Sequence, residues 1–164
     1  MKLTQYSDLG FRLMMYLAMC TDKLVTLQEV SDRFAISKNH LVKISHELTK
    51  VGLIESVRGR NGGVRLALPP GKINVEMVLQ ATEDSFNLVE CFNAETNHCV
   101  ISEVCKLNSL FDEALEAFLG RLRKVSLADL VRSGGEIESV LLPFPRESVV
   151  KFHKLPTRAR RIVK

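Results

Sequence analysis

The chain predicts a mainly α-helical fold with a small β-hairpin wing: a winged helix-turn-helix followed by a long dimerisation helix. Three observations carry that prediction. Two short amphipathic stretches, opened by Thr26 and Ser37, are joined by only Ala35 and Ile36. Two β-prone runs, 53–57 and 64–68, flank the basic, glycine-rich Arg58-Gly59-Arg60-Asn61-Gly62-Gly63. Further on, Phe111, Leu115, Phe118, Leu122 and Val125 recur at spacings of four, three, four and three, a heptad seam.

The elements follow in order. Thr4 or Ser7 can cap a first helix running to about Cys20. That helix is apolar nearly all round, through Leu9, Leu13, Tyr16 and Leu17 with Phe11, Met14, Met15 and Ala18 beside them. It therefore has to be buried on more than one side, and a partner subunit could supply the second. Thr26 and Glu29 form a capping box for a helix to about Phe34. Ser37 caps the next, 38–50, which ends at Val51-Gly52. Val30, Phe34, Ile36, Leu41, Ile44 and Leu48 give this pair its core stripe. Ser37, Lys38, Asn39, His40, Lys43 and His46 stay polar on the second helix, whose N-terminal part would meet base edges. In the hairpin, Asn61-Gly62-Gly63 is expected to supply the positive φ angles, and Arg58, Arg60 and Asn61 to reach phosphates or a minor groove.

Pro69-Pro70-Gly71 divides the chain into a DNA-binding part, 1–70, and a second part, 71–131. In the latter Asn74 caps a short helix to Ala81, Ser102 starts a turn before Cys105, residues 107–125 form the long helix, and 126–130 a short one. A wide apolar seam on one helix can bury itself on a twin copy, so a homodimer is expected. Residues 132–164, with Ser133-Gly134-Gly135 and three prolines, predict a basic tail without regular structure.

Composition narrows the class. The 164 residues are 46% hydrophobic and 26% charged, enough for a real core in one domain or two small ones. The net charge of +4 is uneven: residues 1–70 hold ten Lys/Arg against six Asp/Glu, residues 71–130 five against ten, and 131–164 eight against three. A basic front half suits a polyanion. The apolar run 9–20 holds Arg12 and is too short to span a bilayer, and it lacks the flanks of a signal peptide. No membrane association and a cytoplasmic location are therefore expected.

Three of the four cysteines, Cys91, Cys99 and Cys105, lie within fifteen residues. A reducing compartment disfavours a structural disulfide and leans them toward metal or redox chemistry. Zinc would want four ligands, and Cys91, His98, Cys99 and Cys105 could in principle supply them. But His98 and Cys99 are adjacent, and paired C-x2-C knuckles are missing. Three thiolates with a borrowed fourth ligand suit an iron–sulfur cluster better. No acid–base pair or nucleophile–base set accompanies them, so an enzyme is not expected.

These motifs also carry a resemblance. Tyr6-Ser-Asp8-Leu-Gly10-Phe-Arg12, Ser37-Lys-Asn39-His40-Leu-Val-Lys43-Ile44, 57–63, the three cysteines and Leu127-Ala-Asp129-Leu130 resemble the bacterial iron–sulfur winged-helix repressors. The nitric-oxide-sensing, NsrR-like branch fits better than the iron–sulfur assembly branch typified by IscR, which carries a histidine where this chain has Asn108. The resemblance implies cluster ligands Cys91, Cys99 and Cys105 with Asp8 from the other subunit, and a 4Fe–4S cluster in preference to 2Fe–2S. It implies a homodimer on a palindromic operator in double-stranded DNA, and release of nitric oxide detoxification genes when nitric oxide nitrosylates the cluster. The alternative is a winged-helix regulator sensing iron–sulfur status or redox state, or acting without a cofactor. Seven residues separate Cys91 from Cys99, a longer gap than the family's pattern, which leaves a ligand role open to His98.

Overall fold

The computed structural model describes residues 2–132 and Val140. The tail expected at 132–164 therefore lies, apart from Arg132 and Val140, outside the described residues. The order is α1 (Gln5–Met19), α2 (Leu27–Phe34), α3 (Lys38–Lys50), β1 (Ile54–Val57), β2 (Gly63–Leu66), α4 (Val75–Thr82), α5 (Lys106–Arg123) and α6 (Leu127–Val131), with short 3-10 turns at Pro70–Lys72, Glu90–Phe92 and Ser102–Val104. The fold is mainly helical with one two-stranded antiparallel hairpin, as the pattern predicts.

Side-chain caps set most helix starts. Thr4 accepts from the Ser7 N–H, Thr26 from Glu29 N–H, Asn74 from Met77 N–H, and Ser126 from Asp129 N–H within a full capping box. Ser37 sits at the N-cap of α3 but makes no side-chain cap bond, so its hydroxyl is left for another partner. Glu29 also uses its carboxylate to accept from Tyr16 Oη at 2.8 Å and Lys23 Nζ at 3.0 Å, joining α1 to α2.

The helix-turn-helix turns at Ala35, whose φ of 53° is the left-handed conformation that ends α2. Across the hairpin Ile54 pairs with Leu66 and Val57 with Gly63. Val25 adds an isolated bridge to Val64, docking the wing on the chain before α2. The wing turns differently from the sequence expectation. Gly59, at φ 116°, supplies the positive angle, and Asn61, Gly62 and Gly63 do not. Gly62 and Gly63 are needed for close approach: a Cβ on them would lie 2.3 Å from Val57 O and 2.7 Å from Val25 O.

One core runs through both halves of the chain. Leu13, Met14 and Leu17 of α1, Val30, Leu41, Ile44, Leu48, Ile54, Ile73, Val78 and Leu127 are sealed from solvent. The apolar α1 buries itself within its own chain, between α3, α4, α6 and β2. At its crossing with α4, Gly10 is obligatory in size: a Cβ there would meet Thr82 Cγ2 at 2.8 Å.

The long helix α5 behaves otherwise. Only Leu119 is buried, a residue outside the heptad seam, and α5 packs on α4. Phe111, Leu115, Phe118 and Leu122 are half-buried. Its other anchor is a forked bond from Arg123 Nε and Nη2 to the two oxygens of Glu76, a carboxylate only 5% exposed. That bond holds the Glu76 carboxyl below its ordinary range. Among the described residues no helix is long and apolar enough to cross a membrane.

Candidate nucleic-acid interface and cysteine segment

The helix-turn-helix fixes which side of α3 faces out. Leu41, Ile44, Ser45 and Leu48 point into the core, and Ser37, Lys38, Asn39, His40 and Lys43 are all exposed. Val42 and His46 share that outer side, and sequence reasoning passes over Val42 because it considers only polar residues for DNA contact. Arg58, Arg60 and Asn61 are exposed at the wing turn. Among the described residues Lys38, Lys43, Arg58 and Arg60 have no acidic partner, whereas Arg65 is tied across the hairpin to Glu55 at 2.8 Å. Unpaired cations on α3 and the wing can meet phosphates without first giving up an internal ion pair.

The cysteine segment leaves α4 at Glu83 and returns at α5. All three of its thiols are free and half-buried, as Cys20 is free but buried in the core. Cys91 lies on the 3-10 turn Glu90–Phe92, Cys99 in the following loop, and Cys105 at the N-cap of α5. Cys105 makes no side-chain cap bond, so its sulfur sits free at the N-terminus of an 18-residue helix. The long gap between Cys91 and Cys99 is closed by its own hydrogen bonds. Glu90 Oε1 accepts from the His98 N–H at 2.8 Å, Asn97 Oδ1 from the Cys99 N–H at 3.0 Å, and Asn97 Nδ2 donates to Ser102 Oγ at 3.0 Å. The first of these joins the residue before Cys91 to the residue before Cys99, and engages His98 by its backbone while the residue stays exposed.

Three free thiols on one segment, one of them at a helix N-terminus, fit an iron–sulfur cluster in donor chemistry. One chain does not assemble the set: among the described residues no group of three or more His, Cys, Asp or Glu side chains is arranged to hold a metal ion.

Asp8 stands in the first turn of α1, exposed, with Oδ2 accepting from Arg12 Nη2 at 2.7 Å. Its neighbour Ser7 is fully buried and points the other way. There Glu83 Oε1 gathers three donors: the Thr4 N–H at 2.8 Å, the Thr4 hydroxyl at 3.0 Å and the Ser7 hydroxyl. Burial alone would raise the Glu83 carboxyl, but the bonds from Ser7 and Thr4 outweigh it and hold the group below its ordinary value. The residue that begins the cysteine segment is thus latched to the turn that carries Asp8. Seventy-nine positions separate Thr4 from Glu83, and no sequence pattern marks the pair.

Comparison with known proteins gives the family. Residues 3–133 match the Rrf2 family, described as iron-dependent transcriptional regulators. The chain is similar to the HTH-type transcriptional regulator NsrR of Bacillus licheniformis, 44% identical over 86% of this chain and 99% of that one. It is similar to that of Halalkalibacterium halodurans at 46%, over 86% and 97%. Among solved structures, T. potens IscR superposes with a TM-score of 0.63 at 25% identity, covering 80% of this chain and 87% of its own. CymR of B. subtilis, the global cysteine regulator, shares the fold at a TM-score of 0.62 and 21% identity, over 82% and 98%. The relatives are DNA-binding transcriptional regulators and not enzymes. With its winged helix, its exposed α3 and a family match over residues 3–133, the chain belongs to the Rrf2 family of iron-dependent transcriptional regulators.

Proposed function

We propose that this regulator is a homodimeric repressor that holds an iron–sulfur cluster through Cys91, Cys99 and Cys105, with Asp8 of the partner subunit as fourth ligand, and releases its operator on exposure to nitric oxide. The observation that carries the reading is the cysteine segment itself: three free thiols on a loop latched at Glu83 to the turn that bears Asp8. Identity of 44–46% to proteins named NsrR supports it. The cluster would supply iron atoms open to attack by nitric oxide, and 4Fe–4S is favoured over 2Fe–2S. The chain's residues do the rest. Cys105 offers its sulfur from the start of α5, Cys91 and Cys99 from the turns that Glu90 and Asn97 hold closed, and Asp8 from the outer side of α1.

Dimerisation through α5 supports the shared site. Val100, Ile101, Val104, Leu107 and Leu110 are exposed, Val100 at 98%, and continue into the half-buried Phe111, Leu115, Phe118 and Leu122. An apolar row of that length, along α5 and the turns before it, suits a twin copy. Two recognition helices related by the dimer axis would meet a palindromic operator in double-stranded DNA, with Ser37, Lys38, Asn39, His40 and Lys43 at base edges or phosphates and Arg58, Arg60 and Asn61 at the flank. Residues 1–70 then have the role of reading, 71–131 of sensing and pairing, in a cytoplasmic protein. Loss of shared ligation would free the latch at Glu83 and the turn at Asp8 together, and so change the spacing of the two α3 helices.

The test is anaerobic purification with iron, sulfide and visible absorption measured for the native protein and for Cys91→Ala, Cys99→Ala, Cys105→Ala and Asp8→Ala. The proposal expects a coloured native protein and loss or change of the chromophore in all four variants. A colourless, iron-free native protein that binds operator tightly overturns it and favours a regulator without cofactor.

A further inference from the structure

From the surface of α3 we infer that Val42 is a specificity-determining residue, packing on the 5-methyl group of an operator thymine in the major groove. The inference rests on the DNA-binding reading of this family and is independent of the cluster. Val42 is 49% exposed in the middle of a helix whose other outward residues are polar. At 100° per residue, Asn39, Val42 and His46 fall within an arc of about 60°, and Lys38 and Lys43 lie about 40° beyond either edge. The stripe therefore has a centre of two polar side chains and one apolar one, rimmed by two lysines without acidic partners among the described residues. That charge pattern matches a duplex groove, with phosphates at the rims and base edges on the floor.

Among the described residues, Val42 is not part of the hydrophobic core or of the residues packed against it. A β-branched residue is a poorer helix former than the Lys, Gln or Glu that solvent would accept. Its half-exposed methyls touch water at a position where Leu41 and Ile44 beside it are sealed in the core. In the major groove thymine alone presents a methyl group, and an apolar side chain of this size is the complement to it. Asn39, three residues earlier, has the bidentate amide that reads adenine, so the two side chains together select an A·T-containing step.

The test uses the full chain, prepared anaerobically, and the duplex it selects from a randomised pool. Each thymine is replaced in turn by uracil, symmetrically in both half-sites, which removes only the methyl group. The native protein is expected to lose affinity at one position, about fourfold per half-site, the effect of one buried methyl. Val42→Ala, its fold first checked by circular dichroism, is expected to bind the thymine duplex more weakly and to be indifferent to uracil at that position. Val42→Ile is expected to keep the discrimination. A native protein insensitive to uracil everywhere, or a Val42→Ala protein with the native uracil profile, overturns the inference alone. Failure to select any duplex in a salt-sensitive manner overturns the regulator reading and this inference with it.

Discussion

Replacing Glu83 with Gln keeps the size of the side chain and one acceptor oxygen, and removes the charge. In the native protein that oxygen holds the Thr4 N–H at 2.8 Å, the Thr4 hydroxyl at 3.0 Å and the Ser7 hydroxyl. A hydrogen bond to a charged acceptor contributes about 1.5–3 kcal/mol and a neutral one about 0.5–1.5 kcal/mol. Three donors crowded on a single oxygen do not add, so the expected loss is that of about one charged-for-neutral exchange, roughly 1–2 kcal/mol. The carboxyl is held below its ordinary value of 4.5, because the bonds from Ser7 and Thr4 outweigh the effect of burial. Its contribution to stability is therefore full above that value and is lost as pH falls through the lowered folded-state pKa. Urea unfolding at fixed protomer concentration checks both parts. The gap between native and Glu83→Gln protein is expected to be widest near neutral pH and to close progressively in acid. Hydrogen exchange should quicken at the start of α1. Equal midpoints at neutral pH, or a gap that stays constant into acid, would refute the latch.

Gly10→Ala is expected to destabilise by about 1–3 kcal/mol through overpacking, less up to about 1 kcal/mol gained in helix propensity. The added carbon would lie 2.8 Å from Thr82 Cγ2, so Thr82→Ser, which deletes that methyl, should rescue it in a double-mutant cycle of thermal unfolding. Arg123→Met leaves the Glu76 carboxylate buried without its forked partner, and should lower the unfolding midpoint further than Glu116→Gln, whose carboxylate meets Arg123 in solvent at 3.2 Å. Changing Glu76 to Gln alongside should recover part of that loss. Arg58→Ala with Arg60→Ala should weaken binding to all duplexes alike, and flatten the dependence of log affinity on log salt by about one unit for each phosphate no longer neutralised. A shift in sequence preference instead would assign these arginines to base reading.

The elements are legible where their signals are local. Thr26, Asn74 and Ser126 each mark a helix start that the folded chain uses, because a cap is settled within three residues. The recognition helix spans 38–50 as its periodicity predicts. The wing turn falls where the sequence puts it, but its pivot does not: Asn61-Gly62-Gly63 is the conventional hairpin signal. Gly59 takes the positive φ instead, since Gly62 and Gly63 are required for close backbone approach to Val57 and Val25. Leu119 escapes the sequence because the heptad pattern of α5 centres on Phe111, Leu115, Phe118 and Leu122, whereas burial is deepest at one flank of that row. At the site, the spacing of the cysteines is plain, but the hydrogen bonds that close the loop between Cys91 and Cys99 and the latch at Glu83 depend on residues brought together only by folding. Val42 already falls outside the helical core stripe of Leu41, Ile44 and Leu48, but its apolar chemistry keeps it off the set of DNA-facing residues until the folded chain shows it exposed.

The most direct test of cluster-based sensing is a nitric oxide titration of the anaerobic holoprotein, following visible absorption and operator affinity in the same samples. The sensing reading predicts that absorption changes and operator binding falls together over one range of nitric oxide per cluster, and that Asp8→Ala protein fails to show the coupled native response. Operator binding that stays at its starting level after the chromophore has fully reacted would contradict it.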